Sequence, residues 1–201
     1  MPYTAEHKQQ SREKILQSAV SLFSNQGFEN TSIDEIMQDA DMTRGAFYAH
    51  FSSKSDLYQH ALITGALNSP LLWSRPDDFS DQKWMNVLVK GYLSEQHIEQ
   101  DKPPCPLAFL VTDVAVSEPE VRHTYTEIFK RMNKLMRKMA RPYSECSEQD
   151  IYAILAMMIG SVAIGRCLDS DSVRTKMLKA SENLARAILN GEMEIPKTRQ
   201  N

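Results

Sequence analysis

The sequence predicts an all-α protein of about nine helices, in which short helices come first and longer ones follow. Apolar residues recur at helical spacing along nearly the whole chain, and no alternation of apolar and polar residues persists long enough for a strand. The 7 glycines and 11 methionines among 201 residues also favour helices over sheets. The length suits one large domain, or a small domain joined to a medium one.

Two helices are predicted near the N-terminus. The first, at residues 10–26, carries an apolar stripe and is followed by Gly27, a residue that suits the left-handed end of a helix. Ser32 and Glu35 have the spacing of a capping box. The helix that they open is barely two turns long.

A tight turn and two more short helices follow. Asp41 and Met42 form the turn, and Thr43 is a candidate N-cap for a helix that ends near residue 50. Ser53 and Asp56 again have capping-box spacing, which predicts the start of a fourth helix.

The remaining predicted helices are longer. They begin after residues 68–80, a looser stretch with two prolines that is our candidate boundary between an N-terminal module and the rest. Prolines and short polar turns separate these helices, because proline does not continue a helix. Their predicted ranges are 81–100, 104–116, 119–140, 148–168 and 171–190.

The composition excludes several classes of protein. The apolar run at residues 151–165 is shorter than the roughly 18 residues of a membrane span, so we interpret it as a buried helix and expect no membrane. Residues 1–12 are polar and lack a secretory signal, which predicts a cytoplasmic protein. The 3 cysteines lack the spacing of a zinc site or a disulfide framework, so we expect thiols and neither a metal nor another cofactor.

The short second and third helices have the dimensions of a helix-turn-helix, whose second helix lies in the major groove of DNA. Arg44 has the length and the donors to read guanine, while Gly45 and Ala46 are small enough to let the backbone approach the groove floor. Neighbouring polar side chains and a helix N-terminus suit phosphate binding. The predicted DNA contacts are Ser32, Thr43, Arg44, Gly45, Ala46, Tyr48, His50 and Lys54. The alternative is a small helical bundle with a solvated polar face.

The charge balance of this segment is acidic. Residues 1–60 contain five lysines and arginines against eight aspartates and glutamates, and the whole chain carries a formal charge of -3. Phosphate contact must therefore depend on helix N-termini, on Lys54 and on an N-terminal arm. The basic residues of that arm are His7, Lys8 and Arg12. We expect modest affinity for each subunit, and binding that relies on two half-sites being engaged together.

A long pattern of residues runs from Arg12 to Leu57. Its most specific members are Gly27, Phe28, Ser32, Ile33, Ile36, Ala40, Met42, Thr43, Arg44, Gly45, Ala46, Phe47, Tyr48, His50, Phe51, Lys54 and Leu57. This pattern closely resembles the DNA-binding module of TetR-family transcriptional regulators. In the turn, Asp41 stands where the family most often has glycine; aspartate tolerates the left-handed conformation, so the turn should survive.

The resemblance implies a homodimer, a ligand pocket in each C-terminal domain, and repression of transcription that a small-molecule inducer relieves. Residues 1–60 are then a helix-turn-helix DNA-binding domain, and residues 61–201 a ligand-binding and dimerisation domain. The expected partners are a palindromic double-stranded DNA operator, the inducer and a second copy of the chain. The alternative function is an all-helical enzyme or adaptor that keeps the module without binding DNA, which the acidic balance favours.

The last two predicted helices are candidates for the dimer interface. The helix at 148–168 is apolar nearly all round and the helix at 171–190 carries an apolar stripe, which implies burial on more than one side. The predicted interface residues are Ile154, Met158, Val162, Met177, Leu184 and Ile188. An ordinary intrachain core is the alternative.

Aromatic residues and methionines of the C-terminal helices are candidates for lining a cavity for an apolar ligand, although plain core is the alternative. These candidates are Trp84, Tyr92, Phe109, Tyr125, Phe129 and Met158. Cys105 is a candidate redox or electrophile sensor, because a helix start and nearby Lys102 would favour its thiolate; a structural role is the alternative. The sequence has no catalytic motif such as GxSxG or HExxH, which predicts a protein that is not an enzyme.

Overall fold

The computed structural model describes residues 5–67, 75–99 and 105–193. Within these ranges the chain forms 11 helices and no strand, which confirms the all-α prediction. The helices are α1 (Ala5–Gln26), α2 (Ile33–Asp39), α3 (Arg44–Phe47), α4 (Lys54–Leu67), α5 (Asp81–Tyr92), α6 (Glu95–Glu99), α7 (Pro106–Phe109), α8 (Val111–Ala115), α9 (Pro119–Ala140), α10 (Glu148–Gly165) and α11 (Asp171–Leu189).

Two predicted helices are each divided in the structure. The helix predicted at 81–100 breaks at Leu93, which leaves helical geometry with φ -90 and ψ 44. The Ser94 hydroxyl donates to the Gly91 carbonyl and accepts the His97 backbone N–H, so its side chain bonds backbone groups on both sides of the break. The helix predicted at 104–116 breaks at Leu110, which has φ -114 and ψ 11.

The helices form two compact units. One consists of Met1–Ser69 and Asp101–Ile128, and the other of Pro70–Gln100 and Phe129–Asn201. The candidate boundary at 68–80 lies mostly outside the described residues, as does Lys102.

In the first unit, α1 packs against α2, α4 and α7. Its core contains large side chains with almost no exposed surface: Ile15, Phe23, Ile36, Phe47, Leu57, Tyr58 and Leu62. The Ser18 hydroxyl, on the inner face of α1, donates to the Ile36 carbonyl at 3.0 Å. This buried hydrogen bond ties α2 to α1, so the short helices rest on a long one.

In the second unit, α10 packs against α11, α5 and α6. Two clusters of buried polar groups within it are hydrogen-bonded. The Ser161 and Ser181 hydroxyls lie 2.8 Å apart, and Glu182 accepts hydrogen bonds from Lys179 and Arg186. Burial opposes ionisation of Glu182, but these two partners lower its pKa, so it stays charged within the unit.

The apolar helix α10 is 18 residues long, and by length and composition it is the one described helix that would suffice to cross a membrane. The apolar run counted from the sequence, residues 151–165, is shorter because it omits the polar first turn of the helix. Within its unit, α10 buries eight residues against neighbouring helices, as a core helix does.

Candidate nucleic-acid interface

The N-cap of α2 and the turn that joins α2 to α3 are both formed as predicted. Ser32 caps α2: its hydroxyl accepts the Glu35 backbone N–H at 3.1 Å, and the Glu35 carboxylate accepts the Ser32 backbone N–H at 2.7 Å. These hydrogen bonds lower the pKa of Glu35. Asp41 has φ 56, the only non-glycine residue at positive φ among those described. The left-handed turn therefore survives with aspartate in place of glycine.

Helix α3 is shorter than predicted. It covers Arg44–Phe47 instead of reaching residue 50, and Phe51 closes the segment with a hydrogen bond from its backbone N–H to the Phe47 carbonyl at 3.0 Å. Phe47 and Phe51 are buried and anchor the segment to the core. Thr43 occupies the N-cap position, but its side chain makes no capping hydrogen bond.

The predicted base-reading residues lie on the exposed side of α3. An added Cβ at Gly45 would meet nothing within 4 Å, and the Tyr48 side chain is 61% exposed. Arg44 is also exposed, but its Nη1 donates to Asp34 Oδ2 on α2 at 2.6 Å. The residue best suited to read guanine is therefore paired within the subunit.

Lys54 and His50 flank this surface with different charge states. The Lys54 Nζ lies 4.3 Å from the centre of the Phe28 ring, a cation–π contact at the start of α4. Burial, together with the cations Lys8 and Arg12, lowers the pKa of His50. At neutral pH His50 is therefore an uncharged hydrogen-bonding group, and Lys54 is a cation.

The predicted N-terminal arm is helical, because α1 begins at Ala5. Arg12 places its guanidinium 5.0 Å from the centre of the Phe51 ring, so it packs on the module as well as carrying charge. A groove of about 300 Å³ runs beside α1 and the start of α3, lined by His7, Gln10, Ser11, Lys14, Asp41, Met42, Thr43 and Ala46.

Sequence reasoning missed Gln10 and Lys14 as members of this surface. With His7 they follow a spacing of three and four residues, on a polar side of α1 distinct from the side of buried Ile15 and Ala19. That polar stripe was the available signal.

The predicted dimer residues fall into two groups. Leu184 is 40% exposed, and Met177 is half-buried. The other four are buried within the subunit: Ile154, Met158, Val162 and Ile188. These four keep at most 6% of their surface exposed in the subunit, so for them the structure supports the intrachain alternative.

A second apolar face, distinct from the buried one, runs along α11. Its members are exposed or half-buried and are spaced by four and three residues: Val173, Met177, Ala180, Leu184 and Ala187. On α10, small residues with the same spacing are similarly exposed: Ala153, Ala156, Gly160 and Ala163. An added Cβ at Gly160 would meet nothing within 4 Å. Both stripes have the periodicity of helices that pack against a partner.

The predicted ligand-pocket residues are divided between the units. Phe109 and Tyr125 belong to the first unit, and the second holds Trp84, Tyr92, Phe129 and Met158. The Tyr125 hydroxyl donates to the Leu107 carbonyl at 2.7 Å, and the Phe129 ring stacks on Tyr152 with centroids 5.9 Å apart. These are contacts of packed side chains.

Cys105 is half-buried and occupies the N-cap position of α7. That helix has only 4 residues, so its dipole is much smaller than that of the 104–116 helix predicted from the sequence. The electrostatic support for a reactive thiolate is correspondingly weaker.

Comparison with known proteins gives a consistent assignment. Residues 15–61 match the family model for bacterial regulatory proteins of the tetR family. The chain is 49% identical to the regulator AcrR of Shigella flexneri over 55 residues, which are 27% of this chain and 26% of AcrR. It is 33% identical to the uncharacterised regulator TtgW of Pseudomonas putida over 99 residues, 49% of this chain and 72% of TtgW.

Similar structures extend the likeness over nearly the whole chain. A TetR-family regulator from Cytophaga hutchinsonii matches with a TM-score of 0.73 and 16% identity, covering 94% of this chain and 98% of that one. Reduced NemR of E. coli matches with a TM-score of 0.72 and 17% identity, covering 89% and 96%. The sequence matches cover less of the relatives: 26% of AcrR, 66% of Bacillus subtilis YfiR and 46% of Pseudomonas putida SrpR.

Proposed function

Because this chain belongs to the TetR family of transcriptional regulators, we propose that it is a repressor that binds a palindromic operator as a homodimer. A small hydrophobic molecule releases it from DNA. The observation that carries the proposal is the α2–turn–α3 geometry, in which a buried Phe47 anchors a helix whose exposed side presents Arg44, Gly45 and Tyr48.

Arg44 reads a base edge, and Lys54 binds a phosphate. A bidentate arginine to guanine discriminates against the wrong base by about 1–3 kcal/mol. The hydroxyls of Ser32 and Thr43, at the starts of α2 and α3, donate to phosphates. His50 adds a neutral donor, and Ala46 packs on the groove floor.

The DNA-binding proposal is tested by mobility shift with the DNA upstream of the gene for this chain and with a random duplex of equal length. Arg44→Ala should lose roughly 1–3 kcal/mol on the upstream DNA and little on the random duplex. Lys54→Gln should weaken both alike. Equal losses on both DNAs for Arg44→Ala, or a protected site without an inverted repeat, would refute this assignment.

The homodimer forms through the outward apolar stripes of α10 and α11. Leu184 is the fourth of the five members of the α11 stripe, and Gly160 is the third of the four small residues of the α10 stripe. Small residues allow close helix approach, and the apolar area that a partner covers provides the driving force.

Sedimentation of two substitutions and a control tests this interface. Leu184→Glu should give folded monomers, while Asn183→Glu, an exposed neighbour off the stripe, should leave the dimer intact. Gly160→Leu is the sharper variant, because a Cβ added there meets nothing within 4 Å inside the subunit, and the larger side chain should obstruct a partner. Dimers that persist in both Leu184→Glu and Gly160→Leu would place the interface elsewhere.

Release of DNA by a hydrophobic molecule rests on the family to which the chain belongs, because the aromatic candidates for its pocket make packing contacts in the subunit. Modification of Cys105 is a second route to release. The half-buried position of the thiol allows reagents to reach it. Operator release is measured with mild peroxide or a quinone, comparing the native protein with Cys105→Ser. Equal release by both proteins would assign Cys105 a structural role and leave the hydrophobic ligand as the inducer.

A further inference from the structure

The end of α1 is held by a carboxylate that lies 85 residues further along the chain. The Phe28 backbone N–H donates to Asp113 Oδ2 on α8 at 2.8 Å. Gly27, just before it, has φ 83, and a Cβ added there would stand 2.9 Å from the same oxygen. The carboxylate therefore sits directly on the backbone of the α1 terminus, and the absence of a side chain at Gly27 allows this approach.

The ring of Phe28 is fixed on its other sides. Its centroid lies 4.8 Å from that of the Tyr58 ring and 5.9 Å from that of the Phe23 ring, and both neighbours are fully buried. The Lys54 Nζ rests 4.3 Å from the Phe28 centroid. Phe28 thus donates its backbone N–H to Asp113 and contacts the Lys54 ammonium with its ring.

We propose that Asp113 is a positioning residue for DNA binding, which acts through Phe28 to hold Lys54 in place for a phosphate. The proposal rests on the phosphate contact assigned to Lys54 above. A lysine that is restrained before DNA arrives loses less side-chain freedom on binding, so its contact is stronger. Loss of the Asp113 carboxylate removes this restraint on the Phe28 backbone and loosens the platform beneath Lys54.

The sign of the effect separates positioning from simple electrostatics. Asp113 adds a negative charge to a unit that binds polyanionic DNA, so its removal alone would strengthen binding. Positioning requires the opposite result. Glu120→Ala supplies the charge control, because Glu120 is an exposed acid seven positions further along the same unit.

The experiment measures the affinity of the full chain for a random-sequence duplex between 50 and 200 mM salt. One phosphate contact contributes a slope of about 0.9 in log affinity against log salt, or roughly a 3.5-fold change over this range. Lys54→Gln should remove that slope, and Asp113→Ala should remove most of it while also weakening binding at 50 mM salt. Asp113→Asn keeps an oxygen for the Phe28 N–H and should retain the native slope. Glu120→Ala should bind at least as tightly as the native protein.

The double variant Asp113→Ala/Lys54→Gln decides whether the two residues act together. It should have the slope of Lys54→Gln alone, because no ammonium remains to be positioned. Additive slopes, or an unchanged slope in Asp113→Ala, would overturn the proposal while leaving the Lys54 contact intact. An unchanged slope in Lys54→Gln would overturn both assignments. Thermal unfolding of each variant establishes that the proteins compared are folded. Where Asp113→Ala is unstable, the salt slope of Asp113→Asn is compared with that of Lys54→Gln, and an equally low slope in both would overturn the proposal.

Discussion

The exposed pair between Arg44 and Asp34 should weaken DNA binding in the native protein. In the subunit without DNA, the Arg44 Nη1 donates to Asp34 Oδ2 at 2.6 Å, and the two side chains are 62% and 60% exposed. A guanidinium that binds guanine through two donors must leave this carboxylate or share it. Asp34→Ala therefore removes a competitor for Arg44, and we expect tighter binding to the upstream DNA.

The size of the gain follows from the exposure of the pair. Exposed ion pairs contribute about 0.2–1 kcal/mol, because water and salt screen them. Removing the competitor should thus strengthen binding by about 1.4- to 5-fold at each half-site. The loss of a negative charge near DNA adds to this gain. Asp39→Ala measures that second effect, since Asp39 is an exposed acid on the same helix.

The assay is titration of fluorescent upstream DNA with five proteins at one fixed salt concentration: the native chain, Asp34→Ala, Asp39→Ala, Arg44→Ala and Arg44→Ala/Asp34→Ala. Asp34→Ala should bind more tightly than Asp39→Ala. In the Arg44→Ala background, Asp34→Ala should raise the affinity for DNA no more than Asp39→Ala raises it in the native background. Weaker binding by Asp34→Ala would show that the carboxylate orients Arg44 for reading, and would refute the competition argument.

Three further predictions concern the stability of the fold. Gly27→Ala should destabilise the protein by roughly 1–3 kcal/mol in urea unfolding, because φ 83 is strained for alanine and its Cβ would stand 2.9 Å from Asp113 Oδ2; an unchanged midpoint would contradict this. Ser32→Ala should cost about 1 kcal/mol through loss of the capping box, while Ser32→Asp, another good cap, should cost less. Three histidines have their pKa lowered, chiefly by burial: His50, His60 and His97. Because the unfolded chain binds protons near the ordinary pKa of about 6.5 and the folded chain does not, stability should be greatest above that pH and fall as the pH drops below it. A free energy of unfolding that rises on acidification from pH 7 to pH 5.5 would contradict this.

Local chemistry made the N-terminal module predictable. The capping box at Ser32, the left-handed Gly27 and the turn at Asp41 each depend on a few neighbouring residues, and the structure contains all three. The ends of α3 and α5 were less predictable, because tertiary packing and the Ser94 hydroxyl set them. The contacts of Arg44 with Asp34 and of Phe28 with Asp113 join residues 10 and 85 positions apart, and no local pattern indicates them.

The proposed dimer face shows why periodicity alone did not identify which residues of α11 the subunit itself covers. Helix α11 has one apolar face that points into its unit, with Leu178, Ala185 and Ile188, and another that is exposed around Leu184. Both faces repeat at three and four residues, so the sequence indicates two stripes but not which of them the subunit itself covers. Burial separates them, and it moves Ile188 to the core while leaving Leu184 on the surface.

In the homodimer that we propose, the acidic balance of the DNA-binding module makes DNA binding depend on this second, exposed face. Arg44 is already paired and His50 is uncharged at neutral pH, so one subunit brings little net attraction to DNA. Linking two such modules makes the second binding event intramolecular, which raises overall affinity by about 100- to 10,000-fold without a new contact. A substitution on the outward stripe of α11 should therefore reduce operator binding far more than any single change on α3. Monomeric Leu184→Glu that binds the upstream DNA within a factor of about 10 of the native dimer would refute this dependence on two half-sites.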